Sequence, residues 1–290
     1  MSSRAAAIAH GAATIVNAIA LGQGAAFGVD LWTKAEVQLT EEPMIIRAEI
    51  TSDLTESTLL IEKTVSQVFR YFGLDHFGAK VRTSSNIPIA RGLKSSSTAA
   101  NAVALATTAA LSKELDDLTV VNLGVDAAFD AKVTITGAFD DACASYFGGV
   151  VITDNMSRKI LQKFSLPEGL TVLFHIPSKK AYTGATDVNK LSGVKLFAKV
   201  ALEEASKGNF WMALSLNGTI YSAALGYDNS TATDALSAGA LAAGLCGKGP
   251  AVTAVVEDDK LDSVKVALQR HEGEVLEAHF NSEKARVLNS

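Results

Sequence analysis

The sequence predicts an α+β protein built from two domains. Its 290 residues are enough for one large or two ordinary domains, and 48% hydrophobic with 20% charged residues is typical of a soluble globular chain. Segments with strand periodicity and segments with helical periodicity occur in both halves. The short polar stretch DNMSR lies between Thr153 and Lys159. We place a boundary there and expect domains at residues 1–156 and 157–290.

The first half begins with strand signals. From Val29 to Leu39 apolar and polar residues alternate, which predicts a half-buried antiparallel strand. The segment from Ile45 to Ile50 is its expected partner across the turn at residues 41–43. The segment from Ser57 to Phe72 has apolar residues at helical spacing and stops at Gly73, so we expect a core helix there.

The remaining elements are read in the same way. A helix over 118–131 is expected to begin at Thr119 as its cap, and a turn and helix are expected over 137–147. Strands are predicted at 80–83, 150–152, 170–176, 252–256 and within 274–288. Further helices are predicted at 192–206, 210–225, 231–243 and 261–270.

Charge and cysteine content limit the classes of partner. The 26 Lys and Arg residues against 31 Asp and Glu give a net charge of −5, which does not favour nucleic acid or an anionic membrane as a partner. The two cysteines, Cys143 and Cys246, are far apart in sequence and suggest neither a disulfide framework nor a zinc site. A cytoplasmic protein is expected. The uncharged stretch from Ala5 to Val29 superficially resembles a signal peptide, but its glycines and polar residues argue against a membrane span.

One motif in the first half combines a glycine turn with a run of hydroxyl residues. Pro88 is followed by Gly92-Leu93-Lys94-Ser95-Ser96-Ser97-Thr98 and then by an alanine-rich helical segment that continues to about Ser112. A helix start of this kind offers unpaired backbone N–H groups, hydroxyl donors and the positive end of the helix dipole, so it suits a phosphate. The alternative is an ordinary serine-capped helix after a loop.

The whole pattern, with Pro88 four residues before the glycine, resembles the ATP-binding motif of the GHMP kinases. The segments HGAATIVNAIALGQGAAFGVDL (10–31) and TGAFDDACASYFGG (136–149) are most similar to the archaeal shikimate kinase branch of that superfamily. The resemblance implies a two-domain GHMP kinase fold with the active site between the domains. It also implies that ATP is bound by the residues of the motif: Pro88, Ile89, Ala90, Arg91, Gly92, Leu93, Lys94, Ser95, Ser96, Ser97 and Thr98.

The resemblance further implies roles for several polar residues. Mg²⁺ would be held by Ser96 and by Asp130, whose alternative is a solvated charge at a helix end. Asp140 and Asp141 share the catalytic role, with Asp140 preferred, although carboxylates at a helix start can also simply stabilise the helix dipole. The substrate side would include His10, Thr14, Asn17, Gly247 and Gly249, with Asp30 a weaker candidate. Backbone-bonded polar groups are the alternative for the first three.

The function implied by the resemblance is ATP-dependent phosphorylation of shikimate to shikimate 3-phosphate, in the pathway to aromatic amino acids. The alternatives are homoserine kinase or another small-alcohol kinase of the superfamily, and a non-catalytic metabolite sensor of the same fold. The expected partner is a small molecule, with neither nucleic acid nor membrane, and the protein is expected to be a monomer or homodimer. Four basic residues are unranked candidates for binding the substrate carboxylate: Arg47, Arg82, Arg91 and Lys179.

Overall fold

The computed structural model describes residues 4–89, 91–178, 191 and 193–288. Ala90 and Lys179, which the sequence suggested as site residues, lie outside these ranges. The described residues form eight α-helices and two β-sheets, which confirms the α+β class. None of the helices in the described ranges is long and apolar enough to span a membrane.

The first sheet has seven strands and is mostly antiparallel. Its order is β11-β1-β2-β4-β3, and β5 joins it by pairing with both β2 and β6. The strands are β1 (Arg4–Val16), β2 (Gln23–Thr40), β3 (Ile46–Ile50), β4 (Gly78–Ser85), β5 (Val150–Asp154), β6 (Lys159–Phe164) and β11 (Arg286–Leu288). Both β6 and β11 follow residue 156, so the second segment of the chain supplies two strands to the first sheet.

Four helices pack with this sheet around one core, three of them against its strands and the third in chain order against the other helices. They are α1 (Leu59–Tyr71), α2 (Ser95–Ala110), α3 (Asp117–Asp130) and α4 (Phe139–Phe147). Buried residues of the helices, such as Val103 and Phe139, pack with strand residues such as Val37 in one apolar core. The cap of α3 is Asp116, whose side chain accepts a hydrogen bond from the Thr119 backbone N–H at 3.0 Å. The prediction of Thr119 as the cap was wrong, because the carboxylate one turn earlier is the better acceptor at a helix start.

The second sheet has the order β10-β7-β9-β8 and is antiparallel. Its strands are β7 (Leu170–Ile176), β8 (Ala242–Leu245), β9 (Val252–Glu257) and β10 (Glu274–His279). The helices of this half are α5 (Lys195–Ser206), α6 (Phe210–Leu225), α7 (Ser230–Ser237) and α8 (Leu261–Leu268). A second apolar core joins the halves, since Phe27 and Val150 of the first sheet pack with Phe174 and Val255 of the second.

Two secondary-structure predictions were wrong. The segment 45–50 does not pair with β2, because β4 lies between them and pairs in parallel with β3. The Met44 N–H donates to the Phe77 carbonyl, which brings the start of β4 beside the turn that was expected to join β2 and β3. The helix predicted over 231–243 ends at Ser237, since Gly239 adopts a φ of 108° and the chain enters β8 three residues later.

Candidate active site

Residues 91–98 of the glycine and serine motif, which we call the phosphate loop, form a left-handed turn and, directly after it, the start of α2. Gly92 has a φ of 89° and Lys94 has a φ of 62°, and Ser95 is the first helical residue. The first N–H groups of α2 therefore have no intrahelical acceptors, and the positive end of its dipole is at Ser95. Ser95, Ser96 and Ser97 line a cavity at this point, which we call the first cavity. The loop thus has the donors that an anionic group requires.

The first cavity collects residues from distant parts of the chain. Besides the loop, it is lined by Thr14 and Asn17 from the end of β1, by Asp140 and Asp141 from the first turn of α4, and by residues 247–249 between β8 and β9. The sequence predicted all of these except Lys248 as site residues. The hydroxyl oxygen of Thr14 is buried and has no hydrogen-bond partner among the described residues, so it remains able to contact a ligand.

Lys94 and Asp141 form an ion pair inside the first cavity. Lys94 Nζ lies 3.0 Å from Asp141 Oδ2, and both side chains are about nine-tenths buried, with 11% and 10% exposed. Burial on its own lowers the pKa of Lys94, but the nearby carboxylates, chiefly Asp141, raise it above its usual value, so Lys94 is charged. The other oxygen of Asp141, Oδ1, is buried and has no hydrogen-bond partner among the described residues.

Asp140 occupies a different environment. Its backbone N–H donates to Asn155 Oδ1 at 3.2 Å, and Asn155 Nδ2 donates to Asp140 Oδ1 at 2.8 Å. Burial, together with the neighbouring charge of Asp141, raises the pKa of Asp140 to about 7, although the Asn155 hydrogen bond opposes the shift. Asp140 Oδ2 lies beneath Gly24, where a Cβ atom would collide with it. The two aspartates are therefore neighbours in sequence with separate partners.

The glycine-rich loop between β8 and β9 packs directly against the phosphate loop. The Ala251 N–H donates to the Arg91 carbonyl at 3.2 Å, and Cys246 Sγ lies 3.2 Å from the Gly92 carbonyl oxygen. A Cβ atom on Gly92 would be only 2.9 Å from the Cys246 carbonyl oxygen and 3.0 Å from that of Gly249. Only glycine permits this approach, so the conformation of the phosphate loop depends on the second half of the chain.

A second cavity lies on the other side of the helix start. It shares Ser95, Ser96 and Val133 with the first cavity. Its other apolar lining includes Ile50, Leu59, Leu60, Ile61, Ile89 and Ala99. The start of α2 therefore stands between a polar cavity that holds the aspartates and a largely apolar one.

Several residues predicted for the site do not line either cavity. Of the described residues in the motif, Pro88, Arg91 and Thr98 lie outside both linings. The Thr98 hydroxyl is fully buried and donates to the backbone carbonyls of His10 and Lys94. His10 also lies outside both linings, and burial lowers the pKa of its imidazole. Both residues support the packing of α2 on β1.

Asp130 stands at the end of α3 and is 40% exposed. It accepts a hydrogen bond from Gln67 at 2.9 Å and lies 4.0 Å from Arg70. It does not line either cavity, but the next three residues, 131–133, line the second cavity together with Ser95 and Ser96. Asp30, the weaker candidate, instead bonds to His279 away from the cavities.

A family model and full-length relatives match this chain. Residues 60–149 match the model of the GHMP kinases N terminal domain. A protein named shikimate kinase from Methanosarcina mazei is 42% identical over 285 residues, which cover 98% of this chain and 96% of the relative. Another protein of that name, from Methanobrevibacter smithii, is 40% identical over 94% of this chain and 95% of the relative.

Solved structures agree with the fold. The mevalonate kinase of Methanococcus jannaschii superimposes with a TM-score of 0.79 at 16% identity, covering 96% of this chain and 99% of that one. The galactokinase of Lactococcus lactis superimposes with a TM-score of 0.78 at 15% identity, covering 98% and 95%. These likenesses confirm the fold, while the relatives above, at 40% and 42% identity over nearly their whole length, decide the family. This chain belongs to the GHMP kinase family and is a kinase.

Proposed function

We propose that the protein is an ATP-dependent shikimate kinase, which transfers the γ-phosphoryl group of ATP to a hydroxyl group of shikimate. The observation that carries this proposal is the full-length identity of 42% to a protein named shikimate kinase. The arrangement of the first cavity supports it, because a helix start that suits phosphate faces two carboxylates across one space.

The two cavities suit the two substrates. The apolar second cavity adjoins the serine-rich helix start, and an adenosine group there would direct its phosphates along Ser95 and Ser96 towards the first cavity. The first cavity carries hydroxyl, amide and carboxylate groups from Thr14, Asn17 and Asp141, which suit a small polyhydroxy acid. We therefore assign ATP to the second cavity and the helix start, and shikimate to the first cavity.

The residues of the first cavity account for phosphoryl transfer. The attacking hydroxyl donates its hydrogen bond to Asp141, whose Oδ1 has no other partner among the described residues. The hydroxyl oxygen then bonds to the γ-phosphorus while the bond from that phosphorus to the β–γ bridging oxygen breaks, and ADP leaves. Asp141 receives the hydroxyl proton. Because the transition state is loose, positioning and charge neutralisation by Lys94 matter more than the strength of the base.

This assignment keeps the aspartate pair but gives the acceptor role to Asp141. Sequence reasoning preferred Asp140, yet Asp140 is bound to Asn155 through both its backbone and its side chain. Its second oxygen lies against Gly24. Asp140 therefore acts as a positioning residue that holds the first turn of α4 and, with it, Asp141.

A magnesium ion fits the oxygen donors at the start of α2. Among the described residues no group of three or more His, Cys, Asp or Glu side chains could hold a metal, but Mg²⁺ bound to phosphates needs only one or two protein ligands. The Ser96 hydroxyl and the Asp130 carboxylate are the proposed ligands. The contacts of Asp130 with Gln67 and Arg70 are exposed and contribute little net free energy, so the carboxylate can exchange them. When bound, the ion neutralises charge on the β- and γ-phosphates.

The proposal is tested by measuring ADP release with shikimate, homoserine, mevalonate and galactose as acceptors. We expect turnover to depend on shikimate and to be slow or absent with the others. Faster turnover with homoserine or mevalonate at saturation would reassign the substrate within the family. ATP binding without turnover on any acceptor would instead support a metabolite sensor.

A further inference from the structure

Residues 17–20 follow β1 and form a turn, which we call the 17–20 turn, at one wall of the first cavity. Asn17, Ala18 and Ile19 of this turn line the cavity. The side-chain Oδ1 of Asn17 accepts a hydrogen bond from the Ile19 N–H at 2.9 Å, which stabilises the turn. The amide Nδ2 of Asn17 makes no hydrogen bond within the described residues, so it is the donor that the turn leaves for a ligand.

Two side chains of α6 hold the backbone of this turn. Asn217 Oδ1 accepts a hydrogen bond from the Asn17 N–H at 2.9 Å. The Tyr221 hydroxyl donates to the Asn17 carbonyl at 3.0 Å and accepts from the Ala20 N–H at 3.2 Å. Asn217 and Tyr221 are four residues apart, so they are neighbours on one face of α6. Three hydrogen bonds from the second half of the chain therefore hold three backbone groups of the turn.

These hydrogen bonds are shielded from water. Asn217 is 1% exposed and Tyr221 is fully buried. Burial raises the pKa of Tyr221 to about 12, so its hydroxyl stays protonated and remains the donor to the Asn17 carbonyl. Ile19 and Ala20 pack with Tyr221 in a small apolar cluster. Loss of one hydrogen bond would therefore leave a backbone group of the turn without a partner in an apolar environment.

The amide of Asn217 is not explained by folding alone. Its Oδ1 must face the Asn17 N–H, which leaves its Nδ2 buried with no hydrogen-bond partner among the described residues. An unpaired buried donor lowers the free energy of unfolding, and a leucine of similar size would avoid that cost at this position. The amide is therefore better explained by its hold on the 17–20 turn than by the packing of α6.

We propose that Asn217 and Tyr221 are positioning residues, which hold the 17–20 turn in the conformation that binds the phosphoryl acceptor. This inference rests on the proposed shikimate kinase function and adds residues of the second half of the chain to the acceptor site. Neither side chain is in the lining of the first cavity, so both act through Asn17 and its neighbours. No residue of the turn or of α6 is among the described residues that line the second cavity, which we assign to ATP.

The test uses Tyr221→Phe, which keeps the ring and removes only the hydroxyl. We expect it to raise the KM for shikimate by about threefold to tenfold, the range for one neutral hydrogen bond. The KM for ATP and kcat should stay nearly unchanged, as for a loss of uniform binding. Asn217→Leu should have the same effect with little change in melting temperature, because it exchanges one unpaired buried donor, Asn217 Nδ2, for another, the Asn17 N–H.

Tyr146→Phe is the matched control. Tyr146 is also buried, with 1% exposed, and its hydroxyl also donates a hydrogen bond of 3.0 Å, to Asp117. It lies outside the linings of both cavities, so its variant should change neither KM. Amide hydrogen exchange without substrate is the second measurement. Exchange at the Ala20 N–H should be faster in Tyr221→Phe than in the wild type, and unchanged in Tyr146→Phe.

The outcomes separate this inference from the proposed function. An unchanged KM for shikimate in both α6 variants, the same rise in Tyr146→Phe, or a change confined to the KM for ATP would overturn the positioning role. Unchanged exchange at Ala20 in Tyr221→Phe would overturn it as well, whatever the substrate. Absence of shikimate turnover in the wild type would overturn the proposed function instead, and the KM comparison would then be made with the acceptor that is turned over.

Discussion

Lys94 and Asp141 join the starts of two helices through one buried ion pair. Lys94 precedes the first residue of α2, Asp141 lies in the first turn of α4, and Nζ and Oδ2 are 3.0 Å apart. Two helix starts and a cation therefore place positive potential around the carboxylate that is proposed to receive the hydroxyl proton.

Removing the cation of this pair should destabilise the protein. Lys94→Met leaves the buried Asp141 without its ion-pair partner, and loss of one partner of a buried pair costs about 3 to 5 kcal/mol. The double variant Lys94→Met/Asp141→Asn should recover part of that loss, because no unpaired charge remains at position 141. Denaturant unfolding of the two single variants and the double variant measures the coupling. Strictly additive effects would contradict the ion pair.

The two aspartates should differ in their effect on turnover. Asp141→Asn removes the charged acceptor and should lower kcat by about a hundredfold to ten-thousandfold, as is typical of a general base. Asp140→Asn keeps the hydrogen bond from Asn155 and should lower kcat much less. The measurement is kcat at saturating ATP and shikimate, with ATP binding and thermal stability as controls. A loss concentrated in Asp140→Asn would restore the preference given by the sequence, and near-normal turnover in both would refute the catalytic role of the pair.

Asp140 should also affect stability in a pH-dependent way. Its pKa is about 7 in the folded protein and 3.8 in its usual state, so the fold favours the protonated form. The stability that this preference contributes is present below about pH 4 and is lost as the pH rises through 7. Asp140→Asn, which stays neutral, should therefore raise the melting temperature relative to the wild type at pH 8 and have little effect at pH 4. An equal shift at both pH values would contradict the raised pKa.

The role of Asp130 can be tested against a carboxylate of the same helix. Asp130→Asn should raise the Mg²⁺ concentration that gives half-maximal activity and lower kcat, while shikimate binding stays nearly unchanged. Asp126→Asn is the matched control, because Asp126 is also 40% exposed and pairs with Arg158 at 2.6 Å. Magnesium titrations of the two variants and the wild type give the comparison. Identical titrations would remove Asp130 from the metal site.

Gly92 provides a test of the contact between the two loops. Gly92→Ala puts a methyl group 2.9 Å from the Cys246 carbonyl oxygen, so we expect a raised KM for ATP together with a lower melting temperature. Gly73→Ala is the control, since Gly73 also has a positive φ, 66°, but a Cβ there would meet no atom within 4 Å. Both variants carry backbone strain, and Gly92→Ala alone adds the collision. Equal effects would show that strain alone matters at position 92.

Local patterns predicted much of the fold. The helix over 210–225 and the strand over 170–176 have the predicted bounds, because each is a largely apolar run that ends at a distinct boundary, Gly226 for the helix and Pro177 for the strand. The strand β1 was not predicted, since Ala and Gly dominate it and both of its faces are buried, so it shows no alternation. The pairing of β3 with β4 was also missed, because strand order depends on contacts between segments far apart in sequence.

In the candidate site, too, the features that lie within one short segment were predicted, and those that depend on contacts between distant segments were not. The phosphate loop and the aspartate pair each occupy one short segment, and their residue types alone indicate phosphate and acid–base chemistry. Lys248 was not among the residues that the sequence suggested for the site. Its place in the lining of the first cavity depends on how the two halves pack, as does the contact of Arg91 with the Pro177 carbonyl. Sequence spacing does not contain that information.

The pairing of β11 with β1 has a consequence for synthesis on the ribosome. Ala6 pairs with Leu288, so β1 is completed by a strand that is synthesised after all the other described strands and helices. Until then, β1 is an edge strand with unpaired backbone groups and a largely buried, alanine-rich surface, which is the kind of edge that pairs with other chains. Contacts so distant in sequence also form slowly. Nascent chains of this protein should therefore need protection at β1, and chains that stop before residue 286 should aggregate instead of accumulating as partly active kinases.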